Sequence, residues 1–268
     1  LATSRLRELR QQDREIQRQL KLAADVQQRM LPRTLPKIER FDVAARYAPT
    51  YQIGGDFYDL FACAGQLGLL VGDVSGKGVP AALIMSSVRA TVRALAEARG
   101  RGEGPSLDHL IAGVNQAVFR DTKESEFVTL WCGLADPATL RGTFVSAGHD
   151  PALLWRRGAA GALEVHEIGS SGMALGIDPE QSYDVVTFQL EAGDVVISFT
   201  DGLTDAVNFD DQRFGKQRVV QCVTGLLESE PGATAARVVD HVMWTLRSFR
   251  GLRVPNDDVT LVAVRVTA

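Results

Sequence analysis

Histidine and cysteine are scarce in this chain, and none is spaced for chemistry. Its 268 residues hold four histidines and three cysteines, Cys63, Cys132 and Cys222. With no C-x-x-C pair and no even-numbered disulfide framework, the dithiol-redox, disulfide-scaffold and Cys/His zinc readings fall away. The cysteines lie in apolar surroundings and read as small buried hydrophobes of a reducing compartment. Basic excess is missing too: the formal net charge is −4, which counts against a nucleic-acid binder that needs a basic face for phosphates. No apolar run approaches membrane-spanning length, and no signal peptide stands out. The expectation is a soluble, cytoplasmic chain without membrane contact. Apolar residues at 45% and charged residues at 23% are enough for a core of ordinary size.

Glycine and proline are missing from the first 31 residues. There Leu6, Leu9, Ile16, Leu20, Ala23 and Met30 recur at alternating steps of three and four, with Asp13 and Gln27 filling the seam. That broken heptad pattern predicts a helical linker over residues 1–31, ended by Pro32 and Pro36. Such a helix either lies on its own domain or pairs with its copy in a homodimer. We favour the pairing. The chain starts at Leu1 inside this pattern, so an upstream sensor domain is expected.

From residue 32 to 268 the pattern changes to short extended runs. "FDVAARYA", "FYDLF", "QLGLLVGDV", "FVTLWCGLAD", "RGTFVSAG", "ALLWRR", "LEVHEI", "YDVVTFQL", "DVVISFT" and "DDVTLVAVRV" read as strands joined by Gly, Asp and Pro turns. Helices are expected over about 79–98, 106–120, 214–228 and 233–250. Strands in blocks, interrupted by helix pairs, predict an α+β fold of largely antiparallel sheets covered by helices.

The stretch "LLVGDVSGKGVPAAL", Leu69 to Leu83, superficially resembles a phosphate-binding loop. The Walker motif, however, requires G-x-x-x-x-G-K-[ST]. Here Gly72 and Gly76 enclose three residues, and Gly78 stands where a hydroxyl is needed. G-x-G-x-x-G is absent as well. What remains is Asp73 at the end of an apolar strand, before a glycine-rich turn. Asp56 in "YQIGGDFYDLF", Asp201 in "VVISFTDGLTDA", and Asp257 with Asp258 in "VPNDDVTLVAV" stand at similar strand ends. One such Asp-Gly is ordinary turn punctuation. Four in one chain suggest converging carboxylates, which repel unless cations sit between them. All-oxygen sites suit Mg²⁺ or Mn²⁺, and two such ions can clamp a phosphoryl group.

"GGDFYD", "GDVSGKGVPAAL", "SAGHDPALL", "TDGLTDA" and "DDVTLVAV", in that order, resemble the bacterial serine phosphatases related to sporulation stage II protein E, with the RsbU-type branch closest. These belong to the metal-dependent PPM (PP2C-like) superfamily. The resemblance runs from about Ala23, through "DVQQRMLP", to the C-terminus. It implies a four-layer α-β-β-α sandwich of two antiparallel sheets flanked by helices. It also implies two Mn²⁺ or Mg²⁺ ions held by Asp56, Asp73, Asp201 and Asp257, with Asp73 bridging and the Val74 backbone carbonyl as an added ligand. Motif alignment alone selects Asp257 over Asp258. Strand alternation sends those two side chains to opposite faces, so one of them is structural.

The implied reaction is attack of a metal-bound hydroxide on phosphoserine, and the implied substrate a phosphorylated STAS-type anti-anti-sigma protein. The helix pair over 79–98 and 106–120 would move to complete the metal site. Ser75 stands where eukaryotic relatives carry a proton-donating histidine, so the leaving-group acid is left open. His149 reads as a hydrogen-bonded turn residue, Lys77 as a solvated lysine, and Ser75, Ser86 and Ser198 as structural. The rival readings are a catalytically silent phosphatase-like scaffold and another two-metal phosphoesterase. The acidic balance weighs against a nuclease.

Overall fold

In the computed structural model, which describes residues 2–169 and 172–268, strands and helices follow the hydrophobic rhythm of the sequence. The order is α1 (Ala2–Met30), β1 (Phe41–Ala48), β2 (Phe57–Cys63), β3 (Gln66–Val74), α2 (Val79–Gly100), α3 (Leu107–Asp121), β4 (Val128–Ala135), β5 (Arg141–Ala147) and β6 (Ala152–Arg157). It continues with β7 (Leu163–Ile168), β8 (Val186–Gln189), β9 (Val195–Phe199), α4 (Asp201–Thr204), α5 (Gly215–Ser229), α6 (Ala235–Arg250) and β10 (Val259–Val266). One five-stranded sheet runs β1-β10-β9-β6-β7 and the other β2-β3-β4-β5-β8. Every pairing between these strands is antiparallel.

β10 shows why the layers stack as they do. Val259, Leu261 and Ala263 pack with α5 and α6, while Val262, Val264 and Val266 point into the core between the sheets. A strand buried on both faces must be apolar at every step, and period-2 alternation sorts its side chains between two cores. Helices α2 and α3 cover the other sheet through Met85, Val88, Val92, Ile111 and Val114. The resulting four layers are the expected sandwich.

The sequence departs from expectation in three places. The run "YDVVTFQL" yields only Val186–Gln189, an edge strand on Arg141–Phe144, because Tyr183 turns into the core instead of continuing the alternation. Helix α2, at 22 residues, is long and apolar enough by composition to cross a membrane, although no such run was expected. It buries Ala81, Met85, Val88, Val92 and Ala96 against β2, β3 and α3 and Ala82 against α1, and sets Arg89 and Arg93 on the buried Asp59 at 2.9 and 3.1 Å. This is the pattern of a core helix.

The third departure is at α1. Gln27, placed in the seam between paired helices, instead buries its amide against the chain's own domain. Its Nε2 donates to the Gly54 carbonyl at 2.6 Å, and its Oε1 accepts from the Gly54 amide at 3.2 Å. Ala24 packs there with Ile53 and Ala82, flanked by Leu20 and Ala23. Burying these small and apolar groups removes apolar surface from water without a second copy. Leu9 and Ile16 remain exposed, and the side chain of Leu6 lies outside the described residues.

Candidate metal centre

The strand ends carrying the acidic residues meet where the two sheets abut. Asp56 precedes β2 and Asp73 sits near the end of β3, which are paired as Phe57 opposite Gly72. Asp201 follows β9 and Asp257 precedes β10, paired as Phe199 opposite Leu261. Two threonines join the halves: Thr200 Oγ1 donates to Asp56 Oδ2 at 2.5 Å and Thr260 Oγ1 donates to the same oxygen at 3.0 Å. Neither threonine was singled out in the sequence. The signal was available for Thr260, which shares a strand face with Asp258 two residues before it.

Asp258 is buried and spends its carboxylate on backbone. Its Oδ1 accepts from the Thr50 amide at 2.7 Å, and the Gly55 and Asp56 amides also bond to the side chain. A methyl on Gly54 would run into that carboxylate, and one on Gly55 would lie 2.8 Å from the Val74 carbonyl oxygen. The two glycines of "GGD" therefore allow the close approach that sets Asp56 beside Asp73 and the Val74 carbonyl. Asp257 is half-exposed; its Oδ1 accepts from the Asp258 amide at 3.0 Å and its Oδ2 pairs with Lys77 Nζ at 2.8 Å. The neighbouring aspartates are thus divided between an inward, loop-organising residue and an outward one.

Electrostatics describe one shared neighbourhood. Burial, then the Asp73 charge, raises Asp56 well above the ordinary carboxylate range, against the opposing pull of the two threonine hydroxyls. Burial and then Asp201 push Asp73 up to about 7, with Asp257 and Asp258 adding to the rise and a hydrogen bond with Asp56 opposing it. Asp201 is raised by burial first, then by Asp257, Asp205 and Asp150. Carboxylates that resist ionising together, offering only oxygen, suit hard divalent cations. Among the described residues no three His, Cys, Asp or Glu side chains close on one point as a finished cage. A cation here would share its coordination with water and substrate, as Mg²⁺ commonly does.

The remaining candidates have definite places. His149 is buried; Nδ1 is 2.9 Å from Thr129 Oγ1 and Nε2 is 3.1 Å from the Phe199 carbonyl. Burial lowers its pKa to about 4, so the neutral ring donates from Nε2 and accepts at Nδ1. It ties β4 to β9 and has no proton to offer a substrate. Lys77 is not merely solvated: besides Asp257, its Nζ donates to the Asn256 carbonyl at 2.7 Å. It sits between Gly76 (φ 89°) and Gly78 (φ 77°), positive angles that favour glycine at both flanks. Ser75 is occupied with the 125–127 segment, accepting from the Phe127 amide at 2.8 Å. Ser86 donates to the Ala82 carbonyl within its own helix at 2.7 Å, and the Ser198 hydroxyl is buried with no hydrogen-bond partner among the described residues.

Residues 64–267 match the family described as Stage II sporulation protein E (SpoIIE). The chain belongs to the SpoIIE family. It is a serine/threonine phosphatase domain with the PP2C-like fold. Phosphoserine phosphatase RsbU of Bacillus subtilis is 28% identical over 257 residues, 96% of this chain and 72% of that protein. Protein IcfG of Synechocystis is 25% identical over 269 residues, covering 92% of this chain but 41% of that protein. The crystal structure of the RsbU and RsbW domains of a Mycobacterium tuberculosis protein superposes with TM-score 0.73 at 26% identity, over 89% of this chain and 63% of that one. The SiaA PP2C domain of Pseudomonas aeruginosa shares the fold with TM-score 0.74 at 22% identity, over 94% and 97% of the two chains. PstP, at TM-score 0.61, 18% identity and coverage of 85% and 99%, shares the fold and was solved with two manganese ions.

Proposed function

We propose that this SpoIIE-family domain hydrolyses phosphoserine on a regulatory protein, with two Mn²⁺ or Mg²⁺ ions held by Asp56, Asp73, Asp201, Asp257 and the Val74 carbonyl. The observation that carries this reading is the pairing of buried Asp56 with half-buried Asp73, whose raised pKa values mark negative charge crowded at the junction of the sheets. When bound, the cations would supply activation of the attacking water and neutralisation of the phosphoryl oxygens. The chain's own residues do the placing. Thr200 and Thr260 orient Asp56, and Asp258 fixes the Thr50–Asp56 loop. Lys77 braces the Asp73 turn against Asp257.

Hydrolysis exchanges the seryl P–O bond for a bond to the water oxygen, giving inorganic phosphate and a free serine hydroxyl. No side chain need be phosphorylated: Ser75 is held by its neighbours, and His149 is committed to Thr129 and Phe199.

By its likeness to RsbU, the substrate would be a phosphorylated STAS-type anti-anti-sigma protein, and an upstream sensor would govern the domain through α1. Exposed Leu9, Ile16, Leu22, Val26 and Met30 on that helix support pairing with a second copy. Three unpaired cysteines fit a cytoplasmic location.

The test is turnover of p-nitrophenyl phosphate with Mn²⁺, with Mg²⁺ and with chelator, comparing wild type with Asp56→Asn and Asp201→Asn. Turnover that needs metal and is lost in both variants is expected. Turnover indifferent to chelator, or surviving both substitutions, would overturn the assignment.

A further inference from the structure

Two loops rise from the strand ends that carry the carboxylates, and both expose apolar side chains. The first, residues 205–214, follows α4; the second, residues 251–257, leads into β10. Phe209 is 68% exposed, Leu252 94% and Val254 78%. Apolar groups on mobile loops would be unremarkable, but these loops are braced. Arg253 Nη1 reaches across to the Asn208 carbonyl at 2.5 Å and to Asp211 Oδ1 at 2.6 Å. Asn256 Nδ2 donates to the Asp205 carbonyl at 3.2 Å, and Arg213 pairs with Asp205 at 3.0 Å. Within the first loop, Asn208 Oδ1 accepts from the amides of Asp210 and Gln212, both at 3.0 Å. The Phe209 ring lies beside Gly251, where an added methyl would stand 3.4 Å from it. The polar groups thus knit the loops together and leave the apolar ones facing water.

We propose that Phe209, Leu252 and Val254 form a docking shelf for the substrate protein, taking up apolar side chains that flank its phosphoserine. The proposal rests on the phosphatase reading above, and continuity with the carboxylate centre is what selects the occupant. Val254 is three residues from Asp257, and Phe209 is four residues from Asp205, the residue beside Asp201. A chain presenting phosphoserine to that centre has its flanking residues over these loops. Three residues span at most roughly 10 Å, so the shelf lies within reach of positions up to three or four residues away from the phosphoserine. Large apolar side chains held exposed on loops that polar contacts brace are the usual mark of an interaction site.

The test uses two phosphoserine undecapeptides, one with Leu and Val three and four residues to either side of the phosphoserine, the other with Ser and Asn there. The proteins are the full chain and its Phe209→Ser/Leu252→Ser/Val254→Ser variant, with p-nitrophenyl phosphate as a reference too small to span the shelf. Wild type should favour the apolar peptide by about tenfold in kcat/KM, and the triple variant should lose that preference while Phe209→Leu keeps it. Equal turnover of both peptides by wild type, a preference that survives in the triple variant, or a matching fall on p-nitrophenyl phosphate would each overturn the shelf. Anisotropy with phosphonate versions of the peptides gives the same comparison without turnover. An inactive protein that still binds the apolar peptide through these residues would sink the catalytic reading and keep the shelf. An inactive protein that binds both peptides alike would sink both.

Discussion

Between its ordinary value near 3.8 and its folded value of about 7, Asp73 keeps a proton that an unfolded chain has released. Its contribution to stability is therefore complete below pH 4 and is lost as pH rises through 7. In chelator, Asp73→Asn should raise the melting temperature at pH 8 and leave it unchanged at pH 4; an equal shift at both would show that crowding is not the cause. His149 has the opposite sign. Its pKa falls from 6.5 to about 4, so its contribution holds above 6.5 and drains away as acid protonates the unfolded chain. His149→Asn should flatten the acid limb of a stability profile between those values, while the kcat of the folded variant keeps its pH dependence; a lost limb in kcat would restore the ring as a proton donor. Strand-end aspartates were legible because Asp beside Gly after an apolar run is a compact local signal. Their supports were not. Thr200 and Thr260 are 144 and 204 residues from Asp56, and such contacts leave no local trace. That Asp258 and not Asp257 finds the Thr50 amide is likewise a fact of three dimensions.

Elements were legible wherever periodicity was clean. The run "QLGLLVGDV" became β3 to the residue, and both helix pairs formed within a few residues of expectation. Helix α1 was harder, because a heptad stripe looks the same whether it faces a partner or its own domain. Leu20, Ala23 and Gln27 turn toward the domain, where Gln27 satisfies both backbone groups of Gly54. Gln27→Ala should leave that buried amide and carbonyl unpartnered, costing about 1–3 kcal/mol. Thermal unfolding together with faster hydrogen exchange at Gly54 and Gly55 would reveal it; unchanged protection there would mean that α1 merely rests on the loop. A comparable argument applies to the clasp between α2 and β2. Asp59→Ala removes the buried partner of half-buried Arg89 and Arg93 and should cost about 1–3 kcal/mol, read from denaturant midpoints; a loss under roughly 0.5 kcal/mol, that of an ordinary surface change, would show that the clasp does not hold α2 to β2.

At the scale of the molecule, the acidic groups come from both sheets: Asp56 and Asp73 from one, Asp201 and Asp257 from the other. Divalent ions held there would join the sheets, and a ligand present at a hundred times its dissociation constant adds about 2.7 kcal/mol. Mn²⁺ should raise the melting temperature of wild type and do little for an Asp56→Asn/Asp201→Asn double variant; stabilisation of both alike would place the ions elsewhere. The pairing of β1 with β10 has a consequence for modularity. Ala48 and Val259 meet at the reactive end, whereas at the other end Phe41 faces Val266 and the Thr267 amide bonds to the Arg40 carbonyl at 2.8 Å. The strand that opens the sandwich and the strand that closes it thus depart through one doorway, seven residues or roughly 24 Å from the chemistry. Chain can therefore enter β1 and leave β10 at one edge of the sandwich, so that a join made between Arg40 and Thr267 would cut no strand that carries an aspartate.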